Sequence, residues 1–109
     1  MGRPTDAEVV LWTNRGCGAC TRAKQFLSRK DVAFTERRLK ADPRTQQAFA
    51  RATGGARTVP QIIVGGVHVG GFDDLLQVEK SGELDVLLGR AEGLPRRSPL
   101  KRFVRWLGF

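Results

Sequence analysis

The only two cysteines of this 109-residue chain stand as Cys17-Gly18-Ala19-Cys20. An apolar, β-branched run (Glu8-Val9-Val10-Leu11-Trp12-Thr13) precedes them and a segment of helical period (Cys20 to Arg29) follows. The pair therefore falls where a strand turns into a helix N-terminus. There, free backbone N–H groups and the helix dipole stabilise a negative charge. A thiolate is such a charge and is the nucleophilic form of cysteine, and Arg15 and Arg22 add positive charge nearby. Two intervening residues let the second sulfur reach the first, so a disulfide can form and be released. A structural zinc site wants four protein ligands, and His68 is the only further soft ligand. An intrachain zinc site fails on that count, which leaves a redox pair as the reading.

The rest of the pattern extends this strand–turn–helix unit. Val9 to Thr13 reads as a central strand, and Gly18 to about Lys30 as a helix with Ala19, Ala23, Phe26 and Leu27 on one side and Arg22, Lys24, Arg29 and Lys30 mostly outward. A second strand begins at Val32 and alternates through Thr35, giving a β-α-β crossover that makes the two strands parallel. Asp42-Pro43 is a helix start, a cap followed by proline at the first helical position, and that helix ends at Gly54-Gly55. Arg57 to Val64 reads as a strand with Pro60 at its first position, Gly65-Gly66 as a hairpin turn and Val67 to Val69 as the return strand. A helix follows from Gly70-Gly71 to Ser81-Gly82, with Leu75, Leu76 and Val78 inward, and then a short turn from Leu84 to Leu88. The economical packing is an α/β domain: one mixed four-stranded sheet flanked by helices.

Hydrophobic content of 40% suits a globular protein with one core, and no apolar run approaches the roughly 18 residues of a membrane span. With no apolar leader at Met1 to Asp6, the chain reads as cytoplasmic, where a disulfide is catalytic or transient. Net charge is +8, but residues 90–109 hold 6 of the 19 basic residues and 1 of the 11 acidic ones. The expected division is a domain over 1–89 and a basic extension over 90–109, with a linker from Gly89 to Pro95. Within the extension Leu100, Phe103, Val104 and Leu107 form one helical stripe. It either docks on the domain or serves, over residues 99–109, as a surface for an acidic partner or an anionic membrane. No nucleic-acid motif appears. Arg37, Arg38 and Lys40 read as a solvated charge run, Lys24 as surface, His68 as solvent or packing, and Trp12 as a core or groove-lining aromatic.

Three separated stretches together resemble the dithiol glutaredoxins. They are Trp12-Thr13 with Cys17-Gly18-Ala19-Cys20; Arg57-Thr58-Val59-Pro60-Gln61-Ile62; and Gly65-Gly66 through Gly70-Gly71-Phe72-Asp73-Asp74-Leu75. The likeness covers roughly residues 8–89 and implies a thioredoxin fold with Val59-Pro60 cis. It implies a monomeric, glutathione-dependent thiol-disulfide oxidoreductase in which Cys17 attacks disulfide or glutathionylated proteins and Cys20 resolves. It also assigns glutathione to Arg15, Thr58, Val59, Pro60, Gly71, Phe72, Asp73 and Asp74. The γ-glutamyl carboxylate would lie on the N–H groups of Phe72 and Asp73, the ammonium on Asp73 or Asp74, and the glycyl carboxylate on Arg15 or Arg57. Gly18 and Ala19 stand where many relatives have Pro and Tyr, Asn14 where a lysine is common, and Phe72 where a cysteine or small residue is common. Gly18, where proline would hinder it, opens one alternative, a carrier of a [2Fe–2S] cluster held through Cys17 and glutathione between two protomers. A further alternative, which shares the Cys-x-x-Cys pair and a Phe near the final helix, is an electron donor fed by thioredoxin reductase.

Overall fold

A computed structural model of the protein describes residues 6–91. Strand β1 (Val9–Thr13) lies at the centre, and the sheet runs β2-β1-β3-β4. β2 (Thr35–Arg38) pairs parallel to β1, from Val10 opposite Thr35 to Thr13 opposite Arg38. β3 (Gln61–Val64) pairs antiparallel to β1, and β4 (Val67–Gly70) antiparallel to β3, with a bulge between Ile62 and Ile63. The Gly65-Gly66 turn has φ of 56° and 81°, left-handed values that match the twist of a two-residue hairpin and suit glycine. The mixed four-stranded sheet expected from the pattern is thus present.

Strand alternation divides the core into two layers. Val9, Leu11, Ile62 and Val64 face one side, where they pack with Ala23 and Leu27 of α1 (Gly18–Arg29). Leu75 and Val78 of α3 (Phe72–Ser81), with Leu84 and Leu88 of α4 (Glu83–Leu88), close that layer. Trp12 and Ile63 face the other side, under Phe49 of α2 (Pro43–Thr53), with the Trp12 and Phe49 rings edge to face at 5.3 Å. Each fully buried large apolar side chain contributes about 1.5–3 kcal/mol. α2 opens as its sequence dictates: Asp42 caps it by accepting the Thr45 N–H at 2.9 Å, with Pro43 at the first helical position.

Four details differ from the sequence pattern. β2 starts at Thr35 rather than Val32, its parallel pairing with β1 beginning at Val10 opposite Thr35. Val32 is buried all the same, and its N–H bonds to the Leu27 carbonyl at 2.8 Å. Leu76 does not face inward. It is 39% exposed, since the helical turn that buries Leu75 and Val78 rotates it outward. Arg37 is not simply solvated, for its guanidinium stacks on the Trp12 ring at 4.3 Å. Arg90, expected to open a linker, folds back onto the domain. It forks onto Asp6 at 2.8 and 2.6 Å and donates to the Lys30 and Asp31 carbonyls at 3.0 and 2.7 Å.

Lys30 ties the same corner to α3 and α4 through Glu79 and Asp85, both at 2.8 Å. Burial works against its charge, yet these carboxylates hold it above the ordinary lysine value. No helix among the described residues is long and apolar enough to cross a membrane. The helical stripe read at Leu100, Phe103, Val104 and Leu107 lies outside the described residues.

Candidate active site

Cys17 is the N-cap of α1, with extended backbone angles (φ −96°, ψ 104°) that turn the chain from β1 into the helix. Its sulfur accepts the Cys20 N–H at 3.1 Å, and its carbonyl accepts the Thr21 N–H at 3.2 Å. The first turn of α1 holds no acidic residue, so nothing there opposes the positive end of the helix. Cys17 and Cys20 are joined as a disulfide. They are not equivalent: Cys20 is 3% exposed, whereas Cys17 is half-buried and opens to the surface. An incoming sulfur reaches Cys17 first, and the helix N-terminus stabilises the thiolate that forms there on reduction.

Beside the disulfide lies a groove of about 260 Å³. The loop before β3 and the start of α3 form two of its walls, and Ala19 and Arg22 of α1 form the third. The Val59-Pro60 bond is cis, as the resemblance implies, and the Cys17 sulfur sits 3.7 Å from the Val59 carbonyl oxygen. Thr58, Val59, Pro60, Gly71, Phe72, Asp73 and Asp74 all line this groove, so the substrate residues taken from the resemblance are gathered here, except Arg15 and its alternative Arg57.

Several bonds hold these walls. Gln61 donates to the Thr58 carbonyl at 3.1 Å, and the His68 Nε2 lies 2.6 Å from the Gln61 side-chain oxygen. His68, read from sequence as solvent or packing, thus orients the glutamine that fixes Thr58. Burial lowers its pKa, and the Asp74 charge works the other way. Asp74 accepts the Gly71 N–H at 2.9 Å, which caps α3. Gly70 (φ 121°) makes room for that cap, because a Cβ there would collide with the Asp74 carboxylate. Asp73 is exposed at the same helix start. Arg22, which the sequence marks only as nearby charge, lies 5.9 Å over the Phe72 ring. No motif flagged it; its place follows from the rotation of α1.

A second, larger groove of about 500 Å³ flanks the disulfide on the side of β2. Arg15 lines this one, with Cys17, Lys24, Glu36 and Arg38. Arg15 is therefore apart from the Thr58–Asp74 constellation, and Arg57 is exposed and lines neither groove. Lys24, read as surface, pairs with Glu36 at 2.8 Å, and the Thr13 hydroxyl donates to the same carboxylate oxygen at 2.6 Å. The Lys24 and Thr13 hydrogen bonds hold the Glu36 carboxyl below its ordinary value, against the effect of burial. Among the described residues no group of three or more His, Cys, Asp or Glu side chains gathers as a metal site.

Comparison with known proteins places this geometry. The family profile described as Glutaredoxin matches residues 9–69. A glutaredoxin of Pseudomonas aeruginosa is 48% identical over 80 residues, which are 73% of this chain and 94% of that protein. The solution structure of a glutaredoxin from Brucella melitensis superposes with a TM-score of 0.67 at 39% identity, covering 85% of this chain and 100% of that one. A buckwheat glutaredoxin–glutathione complex gives a TM-score of 0.65 at 28% identity, covering 76% of this chain and 77% of that one. A mixed sheet with helices on both faces, a Cys-x-x-Cys pair at a helix start and these matches agree. The chain is a thioredoxin-fold thiol-disulfide oxidoreductase with the cysteine pair of the dithiol class, and it belongs to the glutaredoxin family.

Proposed function

We propose that the protein is a glutathione-dependent oxidoreductase that reduces glutathione mixed disulfides through Cys17 and protein disulfides through Cys17 and Cys20. The supporting observation is the groove that runs from Val59, whose carbonyl oxygen lies 3.7 Å from the Cys17 sulfur, to the N-terminus of α3. The Val59 backbone lies beside the sulfur and offers strand-like pairing to an extended thiol peptide. The α3 N-terminus suits a carboxylate, and the exposed Asp73 suits the neighbouring ammonium. Arg22, in the same groove, offers the second carboxylate a cation, a role the resemblance gives to Arg15.

On a glutathionylated protein, the Cys17 thiolate attacks the glutathione sulfur. The protein thiolate leaves and takes up a proton, and Cys17 is left bonded to glutathione. A second glutathione thiolate attacks that glutathione sulfur, which releases oxidised glutathione and restores the Cys17 thiolate. On a protein disulfide, Cys17 forms the mixed disulfide with one substrate sulfur. Cys20, as thiolate, then attacks Cys17, the substrate leaves as a dithiol, and the Cys17–Cys20 disulfide remains. Two glutathiones reduce that disulfide and become oxidised glutathione. The cycle fits a reducing compartment, in which the pair is transiently oxidised.

The test is reduction of the hydroxyethyl–glutathione mixed disulfide, coupled in turn to glutathione with glutathione reductase and to thioredoxin reductase. Turnover in the first system is expected. Turnover only in the second would overturn glutathione dependence and favour the electron-donor alternative.

A further inference from the structure

A third groove takes no part in the chemistry at Cys17. It measures about 230 Å³ and lies between residues 6–9 and 33–35, at the starts of β1 and β2. The disulfide lies beyond the other end of β1. The volume is below the about 300–1,000 Å³ of a small-molecule site and suits the side chains of one helical turn. Ala7, Val9, Ala33 and Phe34 line it with apolar surface, and half-buried Phe34 packs against the larger core layer. The lining also holds two acids and no base. Arg90 meets Asp6, but Glu8 is exposed and has no salt bridge among the described residues.

The Arg90 clamp fixes where the chain leaves the domain. Arg90 forks onto Asp6, a lining residue of this groove, and the described chain ends one residue later. Residues 92–109 therefore start at the groove, and they carry five basic residues against Glu92. We infer that residues 99–107 dock in this groove of their own chain, with Phe103 and Leu107, one helical turn apart, filling it. The bases of the segment lie off that stripe, where Glu8 at the rim attracts them. Reach is no obstacle, since residues 92–98 span up to about 25 Å. Attachment beside the groove sets an effective concentration of about millimolar, so a weak contact suffices. Residues 1–5 also enter at Asp6, but they offer one large apolar side chain, Met1, and one base, Arg3.

The test uses the full chain in low salt and reads amide hydrogen exchange and amide resonances by NMR. Amides of residues 99–107 are expected to exchange about 10-fold slower than in a synthetic peptide of residues 92–109. Ala33 is exposed and lines the groove, so Ala33→Arg fills it, repels the bases and should remove that protection. Ala50→Arg, the same change at an exposed position of α2, should leave it in place. Glu8→Lys at the rim, or ~0.5 M salt, should weaken it several-fold. Phe103→Ser with Leu107→Ser should shift the Ala7, Glu8 and Phe34 resonances. The Cys17, Val59 and Asp73 resonances and hydroxyethyl–glutathione turnover should stay unchanged.

Exchange in residues 99–107 as fast as in the peptide would overturn the inference, as would equal effects of Ala33→Arg and Ala50→Arg. Groove resonances that answer deletion of residues 2–5 but not the two serines would give the groove to the N-terminal segment. Protection that grows with protein concentration would give it to the tail of a second copy. Protection seen only with vesicles of phosphatidylglycerol and phosphatidylcholine would give the segment to an anionic membrane. Each of these outcomes overturns docking within the chain. None depends on the proposed reaction, whose failure shows separately as lost turnover in the unaltered protein.

Discussion

Replacing Arg90 by alanine should destabilise the domain far more than loss of a surface charge. Arg90 and Asp6 are each 8% exposed along their side chains. The guanidinium spends its donors on both Asp6 oxygens and on the Lys30 and Asp31 carbonyls, at 2.6 to 3.0 Å. Those carbonyls end α1, where a cation is also favoured by the helix dipole. Stripping one partner from a buried pair costs about 3–5 kcal/mol, whereas an exposed pair is worth about 0–1 kcal/mol. Burial puts this pair near the first case, but Asp31 is exposed and regains water when Arg90 is gone. The expected loss is therefore about 2–3 kcal/mol, below the buried-pair limit.

For a domain of this size each kcal/mol moves Tm by about 4–8 °C, so Arg90→Ala should lower it by roughly 10–20 °C. Chemical denaturation gives the free energy, and a double-mutant cycle with Asp6→Asn should return a coupling above ~1 kcal/mol. Truncation bears on the same point. A chain ending at Ala91 should keep the clamp, and one ending at Gly89 should lose it, although the sequence places the domain boundary there. A change within about 0.5 kcal/mol for Arg90→Ala would put the clamp among solvated surface pairs and refute the reasoning.

Cys17→Ser should abolish every activity, whereas Cys20→Ser should keep removal of glutathione from mixed disulfides and lose protein-disulfide reduction; loss of both with Cys20→Ser would reverse the roles. The neighbouring acids should separate: Asp73→Ala should raise the KM for glutathione several-fold at unchanged Tm, and Asp74→Ala should lower Tm by removing the acceptor of the Gly71 N–H. An unchanged KM for glutathione in both variants would remove this groove from the glutathione site. Glu36 has a folded pKa below its ordinary 4.5, chiefly through the Lys24 hydrogen bond and then that from Thr13. Its contribution is therefore present above the unfolded pKa and is lost as pH falls through the folded value. Glu36→Gln should cost about 0.5–1 kcal/mol at pH 7 and flatten the acid limb of the stability profile, which urea titrations at pH 3 to 7 can read; an unaltered acid limb would exclude Glu36 as its source.

Much of this was determined by the sequence, because the signals involved are local. Asp42-Pro43 opens α2 with a cap and a fixed φ, Gly65-Gly66 makes the hairpin, and apolar periods of 3.6 and 2 separate helices from strands. The cysteine pair is legible for the same reason: a strand, a turn and a helix start lie within adjoining residues. Thr58 to Pro60 and Gly71 to Asp74 were legible only through a resemblance, for no local rule brings two loops to one sulfur.

The tertiary structure decided what depends on rotation and register. Arg15 and Arg22 both flank the cysteines in sequence, yet the turn carries one to the β2 side and the helix carries the other over Phe72. Arg37 and Arg38 read as one charge run. Parallel pairing with β1 and the alternation of β2 put Arg37 on Trp12 and Arg38 beside the disulfide. Lys24 and Thr13 meet on the Glu36 carboxylate only because the crossover lays α1 over both strands. Arg90 finds Asp6 across 84 residues, a separation at which neither residue's neighbours hold any trace of the other.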